Sequence, residues 1–228
     1  MTTLCGLSLF IMRTNSRIRT IQLGFIACWL LILGEWLTDF YFATRYPGYR
    51  WQTESISYLG QRGSPVELQV TIWGACFTLL LVLYAYGFWQ AFRPARPAKW
   101  SAWLIVMYGL GEGAGSGFFP MDPPGSLQTA STFWHELLSS WGDAAIITLP
   151  LVWMYLFRHL PWMRFYLKAV IVTGLILAGF FLAAKWGQPP DFILNYKGLW
   201  QRIYVSDFHV MLGIGSILML KRPTNTPK

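Results

Sequence analysis

The stretch VELQVTIWGACFTLLLVLYAYGFW, residues 66–89, decides the fold class of this chain. It carries a single charged residue, Glu67, next to its start, and is otherwise almost entirely apolar and aromatic. About 20 apolar residues in a helix, at 1.5 Å per residue, cross the ~30 Å hydrocarbon core of a bilayer. The stretch therefore predicts a transmembrane helix.

Similar apolar blocks occupy most of the remaining chain. Of its 228 residues 54% are hydrophobic and 12% charged, whereas soluble domains carry about 25% charged residues. We expect an all-α integral membrane bundle of six transmembrane helices over residues 21–220, with an N-terminal segment 1–20 and a cytoplasmic tail 221–228. The five further predicted helices are Ile21–Phe42, Trp100–Phe119, Phe133–Phe157, Tyr166–Trp186 and Leu199–Leu220.

The basic residues predict the orientation. The net charge is +8, and 12 of the 18 Lys and Arg residues lie at alternate ends of the predicted helices. The positive-inside rule then places both termini in the cytoplasm, in a multi-pass protein of the cytoplasmic (inner) membrane. This distribution explains the positive charge without a nucleic-acid partner. The twelve residues are Arg13, Arg17, Arg19, Arg93, Arg96, Lys99, Arg158, Arg164, Lys168, Lys221, Arg222 and Lys228.

The first twelve residues, MTTLCGLSLFIM, are too short to span a bilayer. Arginines follow this stretch and do not precede it, unlike the order in a signal peptide. We expect a cytoplasmic or interfacial segment here, or a true start at Met12.

Five ionisable residues lie at a similar depth inside four of the predicted helices, about seven to ten residues or ~10–15 Å from the outer surface. A charged side chain near the bilayer centre costs at least ~2.5–3.5 kcal/mol, so such residues rarely face lipid. Their depth predicts one interior pocket that opens outward. They are Glu35, Glu112, Asp143, Asp207 and His209.

Helical spacing gives this pocket its predicted walls. His135, Ser139 and Asp143 follow each other at intervals of four, and Arg202, Ser206 and His209 at four and three, so each set shares a helix face. We assign catalytic roles to Glu112, Asp143, Asp207 and His209, with Arg202 as the cationic partner of the carboxylates. Substrate-binding roles are assigned to Glu35, Ser57, Arg62, His135 and Arg202.

Several chemistries fit these residues. His135 and His209 differ in depth by ~13 Å, which argues against a haem between them. A divalent metal held by His209 and neighbouring carboxylates stays open, as does metal-free acid–base catalysis. The same groups would suit a proton relay, and intramembrane polar residues also serve simply to hold helices together.

Three short motifs resemble one known family. The loop segment SISYLGQRGSP (55–65) is similar to the serine-, Leu-Gly- and proline-containing first outer loop of the bacterial membrane family known as domain of unknown function 998. GSGFFPMD (115–122) with His135, and GLWQR (198–202), resemble its Gly-x-Phe-Pro-x-Asp…His and Gly-Leu-x-x-Arg elements. Tyr58 stands where an acidic residue is common in the family. The resemblance implies the membrane fold and no reaction.

These observations favour a pocket for the head group of an outer-leaflet lipid or lipid-linked molecule, with hydrolysis or transfer as the expected enzyme chemistry. A proton-coupled small-solute carrier and a non-catalytic membrane assembly partner are the alternatives. The expected partners are membrane lipids, and a second copy of the chain or another membrane protein.

Overall fold

The computed structural model describes residues 2–221, and within them the side chains of residues 16–221 except Trp186. This part of the chain is helical and contains no strand. The α-helices are α1 (Thr2–Arg45), α2 (Glu67–Phe92), α3 (Arg96–Tyr108), α4 (Ser116–Phe118), α5 (Ala130–Leu156), α6 (Pro161–Trp186), α7 (Asp191–Leu194) and α8 (Lys197–Leu220). A 3-10 helix at Ile56–Tyr58 and a π-helix at Gly109–Gly115 complete the fold.

Five helices of the described residues are long and apolar enough to cross a membrane, as the apolar blocks predict. They are residues Ser16–Arg45 of α1, Pro161–Lys185 of α6, and the whole of α2, α5 and α8. Large apolar side chains such as Leu23, Leu30 and Leu37 lie exposed along their surfaces. The protein is therefore a multi-pass, membrane-type helical protein.

The predicted helix Trp100–Phe119, third in chain order, forms a composite segment. Helix α3, the π-helix and α4 follow one another without a break from Arg96 to Phe118. The stretch GLGEGAG weakens an α-helix here, since each glycine costs a helix about 1 kcal/mol relative to alanine. A π-helix is defined by hydrogen bonds between residues five apart. The residue that follows it still shows this spacing, because the backbone N–H of Ser116 donates to the carbonyl of Gly111.

Three long loops lie at the same end of the bundle, which we call the long-loop end. They comprise residues 46–66, 119–129 and 187–196, between consecutive long helical segments. The backbone N–H of Arg62 donates to Met121 O at 2.8 Å, and that of Leu199 to Gln52 O at 2.9 Å, so the first loop is bonded to the second loop and to the start of α8. Short turns join the helices at the opposite end.

An aromatic core fills the half of the bundle away from the long loops. The rings of Phe88 and Trp153 stack with centroids 5.0 Å apart, and Phe157 packs edge-on against both. The Tyr84 hydroxyl donates to Leu212 O at 3.0 Å, which ties α2 to α8. The polar cavities lie in the other half.

Glycines allow the helices to approach closely around the π-helix. A Cβ atom on Gly111 would lie 2.6 Å from the backbone nitrogen of Gly142 in α5. One on Gly113 would lie 2.7 Å from the carbonyl oxygen of Gly74 in α2. This close packing fixes the π-helix between α2 and α5.

Two of the predicted segments, 1–20 and 221–228, lie at the ends of the chain. Helix α1 begins at Thr2 and runs without interruption into the first membrane-type segment, so the predicted segment 1–20 is helical in its described backbone. Its cytoplasmic or interfacial position stays a prediction. Residues 222–228 of the predicted tail lie outside the described residues.

Candidate functional site

Two cavities lie side by side in the long-loop half of the bundle. The first has a volume of about 100 Å³ and lies between α5, α6, α8 and the first long loop. The second, of about 90 Å³, lies between α1, α2, the π-helix and α8. The residues that line both are Ser57, Tyr108, Glu112, His135, Gln201 and Val205.

Acidic and basic groups line the first cavity at different levels. Asp143 of α5 accepts a hydrogen bond from the Tyr204 hydroxyl at 2.9 Å. Lys185, at the long-loop end of α6, forms an ion pair with Glu136 at 3.0 Å. Lys197, the first residue of α8, lies 4.8 Å from the centroid of the Tyr58 ring. The lysines therefore stand at the long-loop end, and Asp143 lies deeper.

The second cavity contains one further carboxylate. Glu35 of α1 accepts a hydrogen bond from the Trp73 indole N–H at 2.6 Å. Ser116, at the end of the π-helix, lines the same space together with Glu112. Glu112 and Ser116 thus face the same cavity.

Glu112 lies at the junction of the cavities because of its glycine neighbours. Gly111 packs on α5 and Gly113 on α2, so the residue between them is held in the gap between these helices. No hydrogen bond to the Glu112 carboxylate is formed by the side chains and backbone that the structure describes. A buried carboxylate without such a partner is costly, so this group favours a bound hydrogen-bond donor.

His135 and Gln201 are held in defined orientations. The Nδ1 atom of His135 lies 2.8 Å from Phe119 O. A carbonyl oxygen can only accept, so Nδ1 carries the hydrogen, and in the neutral ring Nε2 keeps its lone pair. The amide oxygen of Gln201 accepts from the backbone N–H of Ile56 at 2.8 Å, which leaves the Gln201 NH₂ group free to face elsewhere.

The predicted partner of Arg202 is wrong. Its guanidinium binds Asp39, with Nε–Oδ2 and Nη2–Oδ1 distances of 2.7 and 2.8 Å, instead of Asp143 or Asp207. It also donates to the Tyr49 hydroxyl and to three carbonyls at residues 51, 54 and 198. Burial raises the pKa of Tyr49 to about 12, so its hydroxyl stays protonated and donates to Ser55 O. Arg202 thus fastens the first long loop to α1 and α8.

Asp207 and His209 do not line the two cavities. The Asp207 carboxylate accepts from the Thr173 hydroxyl at 2.6 Å, on the α6 side of α8. His209 is fully buried and its Nε2 lies 3.2 Å from the hydroxyl of Tyr108, which does line both cavities. The structure therefore separates Asp207 from the predicted cluster and connects His209 to it through one tyrosine.

Arg62 also lies apart from the cavities. Its Nε is 3.2 Å from Asp122 Oδ1, and its side chain is 54% exposed. Asp122 additionally accepts from the backbone N–H of Thr129 at 2.6 Å and from the Thr132 hydroxyl at 2.7 Å. These bonds lower the pKa of Asp122 to about 2, the Thr129 bond most of all. The pair closes the second long loop over the start of α5.

We predict a pH dependence from this carboxylate. Because its pKa falls below the ordinary value of about 3.9, its stabilising effect is present above pH 4 and is lost as the pH falls towards 2. The melting temperature of the wild type in detergent should exceed that of Asp122→Asn at pH 6, and the difference should shrink steadily between pH 4 and pH 2. The control is Asp191→Asn, which removes an exposed carboxylate at the start of α7. The difference in melting temperature between this variant and the wild type should not shrink in the same way. A constant difference across this range would contradict the prediction.

Several residues of the site were not singled out from the sequence. Tyr108, Tyr204 and Trp73 look like core aromatics in apolar blocks, and Lys185 like an ordinary residue at a helix end. Gln201 was an unspecified position within the GLWQR motif. Its spacing of three from Tyr204 and four from Val205 on α8 would have been the available signal, because these positions share a helix face.

The divalent metal that the sequence leaves open gains no support from the described geometry. Among the described side chains, no three His, Cys, Asp or Glu residues lie together in a way that could hold a metal ion. The predicted stripe His135, Ser139 and Asp143 does line the first cavity, together with Ser57 and Glu112.

Comparisons with known proteins agree with the motif resemblance. The family model "Protein of unknown function (DUF998)" matches residues 23–216, which includes every residue of both cavities. Searches of the curated proteins and of the solved structures return no match. The chain therefore belongs to the DUF998 family.

Proposed function

We propose that the protein spans the cytoplasmic membrane six times, with Arg96–Phe118 as the third span and both termini inside. Helix α3, the π-helix and α4 together would extend ~35 Å at 1.5 Å per residue, enough for a bilayer core. The excess of basic residues at the opposite end of the bundle supports this orientation. The long-loop end and the cavities then face the outer leaflet.

In this orientation the first cavity is a binding site for the polar part of an anionic, hydroxyl-bearing phospholipid. The observation that carries the proposal is the vertical order of charges in one cavity: Lys185 and Lys197 at the long-loop end, Glu112 and Asp143 below them. Ammonium groups bind phosphate oxygens as strong, charge-assisted donors. The carboxylates beneath would accept hydrogen bonds from hydroxyl groups of the head group or glycerol.

The size and walls of the cavity favour a membrane lipid over a soluble ligand. About 100 Å³ holds only a small group of atoms, whereas sites for drug-sized molecules enclose about 300–1,000 Å³. Phe181 and Leu182 of α6 and Ile146 of α5 also line the space. A lipid could place its polar part here and leave its chains in the bilayer along these apolar side chains.

Substitution of Lys185 and Lys197 tests the proposed lipid site. Native mass spectrometry of the protein from nanodiscs should detect bound phosphatidylglycerol in preference to phosphatidylcholine. Lys185→Met with Lys197→Met should weaken phosphatidylglycerol binding at least about tenfold, since two charge-assisted contacts are lost and 1.4 kcal/mol equals a factor of ten.

The chain provides a matched control at the other end of the same helices. Lys168 of α6 and Lys221 after α8 are both exposed, so Lys168→Met with Lys221→Met removes the same charge. This control should keep the lipid preference. Equal loss in both double variants, or loss in neither, would refute a phosphate site at the long-loop end.

A further inference from the structure

We infer that Ser57, His135 and Gln201 form a serine acyl-ester site that cleaves or transfers an acyl chain of the bound lipid. The inference rests on the proposed function, because the lipid is held by the same cavity. All three residues line both cavities, and each comes from a different element: the 3-10 helix, α5 and α8.

Ser57 has the features of a nucleophile. Its hydroxyl forms no hydrogen bond to any group within the described part of the chain, although it lies between two cavities. Two other serines of the first cavity differ, because the Ser140 hydroxyl donates to Glu136 O at 2.6 Å and that of Ser139 to the same carbonyl at 3.3 Å. Ser55, the fourth serine of this cavity, does not line the second cavity. Among the described serines, Ser57 is therefore the one that faces both cavities with an unbonded hydroxyl.

His135 has the features of its base. Because Nδ1–H is fixed on Phe119 O, the lone pair of the neutral ring is on Nε2. A serine is activated when such a nitrogen takes its proton, and the carbonyl of Phe119 here plays the orienting role of a third group. The ring is 95% buried, so its orientation is set by the protein.

Gln201 provides donors for the developing oxyanion. Its amide oxygen is held by the N–H of Ile56, the residue before Ser57. The same bond positions the nucleophile's loop and leaves the Gln201 NH₂ group as a donor near it. One donor at an oxyanion contributes about 10²–10³ to the rate of acyl transfer.

The proposed reaction passes through an acyl-serine intermediate. Ser57 Oγ attacks the carbonyl carbon of an acyl ester while its proton passes to His135 Nε2, and the Gln201 amide binds the oxyanion. The bond from carbon to the lipid alkoxyl oxygen breaks, and this oxygen takes the proton from Nε2. Water or a hydroxyl of a second lipid then attacks acyl-Ser57, its proton passing to Nε2 and on to the released Ser57 oxygen.

The lipid geometry agrees with an ester of this type. In glycerophospholipids the acyl esters lie on the hydrocarbon side of the phosphate. The lysines line only the first cavity, whereas the three residues line both, so an ester next to the bound phosphate would lie at the junction of the two cavities. Within the first cavity, Glu112 and Asp143 would accept a hydrogen bond from the hydroxyl group that cleavage releases.

A fluorophosphonate probe, which reacts with activated serines, tests the inference in the full-length protein in nanodiscs. Peptide mapping should find the label on Ser57. Ser57→Ala should abolish it, and Ser126→Ala, at an exposed serine of the second long loop outside both cavities, should leave it unchanged. His135→Asn keeps a donor for Phe119 O but lacks Nε2, and should slow labelling by about 10²–10⁴. Gln201→Glu keeps the acceptor for Ile56 and should slow it by about 10²–10³.

The outcomes separate this inference from the proposed function. If phosphatidylglycerol still binds and no serine is labelled, or if the label lies elsewhere than on Ser57, the acyl-ester site is refuted and lipid binding stands. If neither lipid nor label is found, both are refuted. Ser57→Ala should keep the wild-type melting temperature in detergent, which distinguishes loss of chemistry from loss of folding.

Discussion

Replacing Arg202 with methionine should lower the free energy of unfolding by about 3–5 kcal/mol, because the change leaves a buried carboxylate without its partner. The side chains of Arg202 and Asp39 are only 2% and 5% exposed. The guanidinium also satisfies the carbonyls of residues 51, 54 and 198 and the Tyr49 hydroxyl. Thermal unfolding in detergent, followed by circular dichroism, would measure the loss.

Two further variants separate this effect from a general loss of charge. Arg62→Met removes an exposed guanidinium from the same end of the bundle, and should cost no more than about 1 kcal/mol. Arg202→Met combined with Asp39→Leu removes both charges and should recover part of the stability. If Arg62→Met is as harmful as Arg202→Met, the buried pair does not fasten the loop in the way described.

Replacing Gly111 with alanine should destabilise the protein by about 1–3 kcal/mol through overpacking. The new Cβ would lie 2.5 Å from Leu138 O and 2.6 Å from Gly142 N. Both are backbone atoms of α5 and cannot turn aside as a flexible side chain would. Because the π-helix would have to move away from α5, Glu112 would move with it, and lipid binding should weaken as well.

Gly179 of α6 supplies the matched control. A Cβ there would meet no atom within 4 Å, and alanine is about 1 kcal/mol better than glycine inside a helix. Gly179→Ala should therefore leave the melting temperature unchanged or raise it, opposite in sign to Gly111→Ala. A similar fall in both variants would show that any added methyl group is harmful and that the π-helix contact is not special.

The membrane-type helices could be predicted from the sequence because the length of an apolar stretch is a local property of the chain. Residues 66–89 predict α2 with an error of at most three residues at either end. The composite third segment was not foreseen in its geometry. The glycines in GLGEGAG predict close packing, but whether the backbone widens into a π-helix depends on neighbours in α2 and α5 that lie far away in the sequence.

The candidate site was predictable to a similar extent. Depth and spacing brought Glu112, Asp143 and His135 together correctly, because an i, i+4, i+8 stripe stays on one helix face. They could not predict how α8 is rotated about its own axis. That rotation directs Arg202 towards Asp39 and places Asp207 towards α6.

The most direct test of lipid binding in the first cavity is photo-crosslinking with a phosphatidylglycerol that carries a diazirine near its ester carbonyl. The full-length protein in nanodiscs would be irradiated, digested and mapped by mass spectrometry. We expect crosslinks concentrated in residues 139–146 of α5 and 181–185 of α6, reduced in the variant with Lys185→Met and Lys197→Met. Crosslinks spread evenly over the lipid-facing surfaces of α2, α3 and α6, unchanged in that variant, would contradict it.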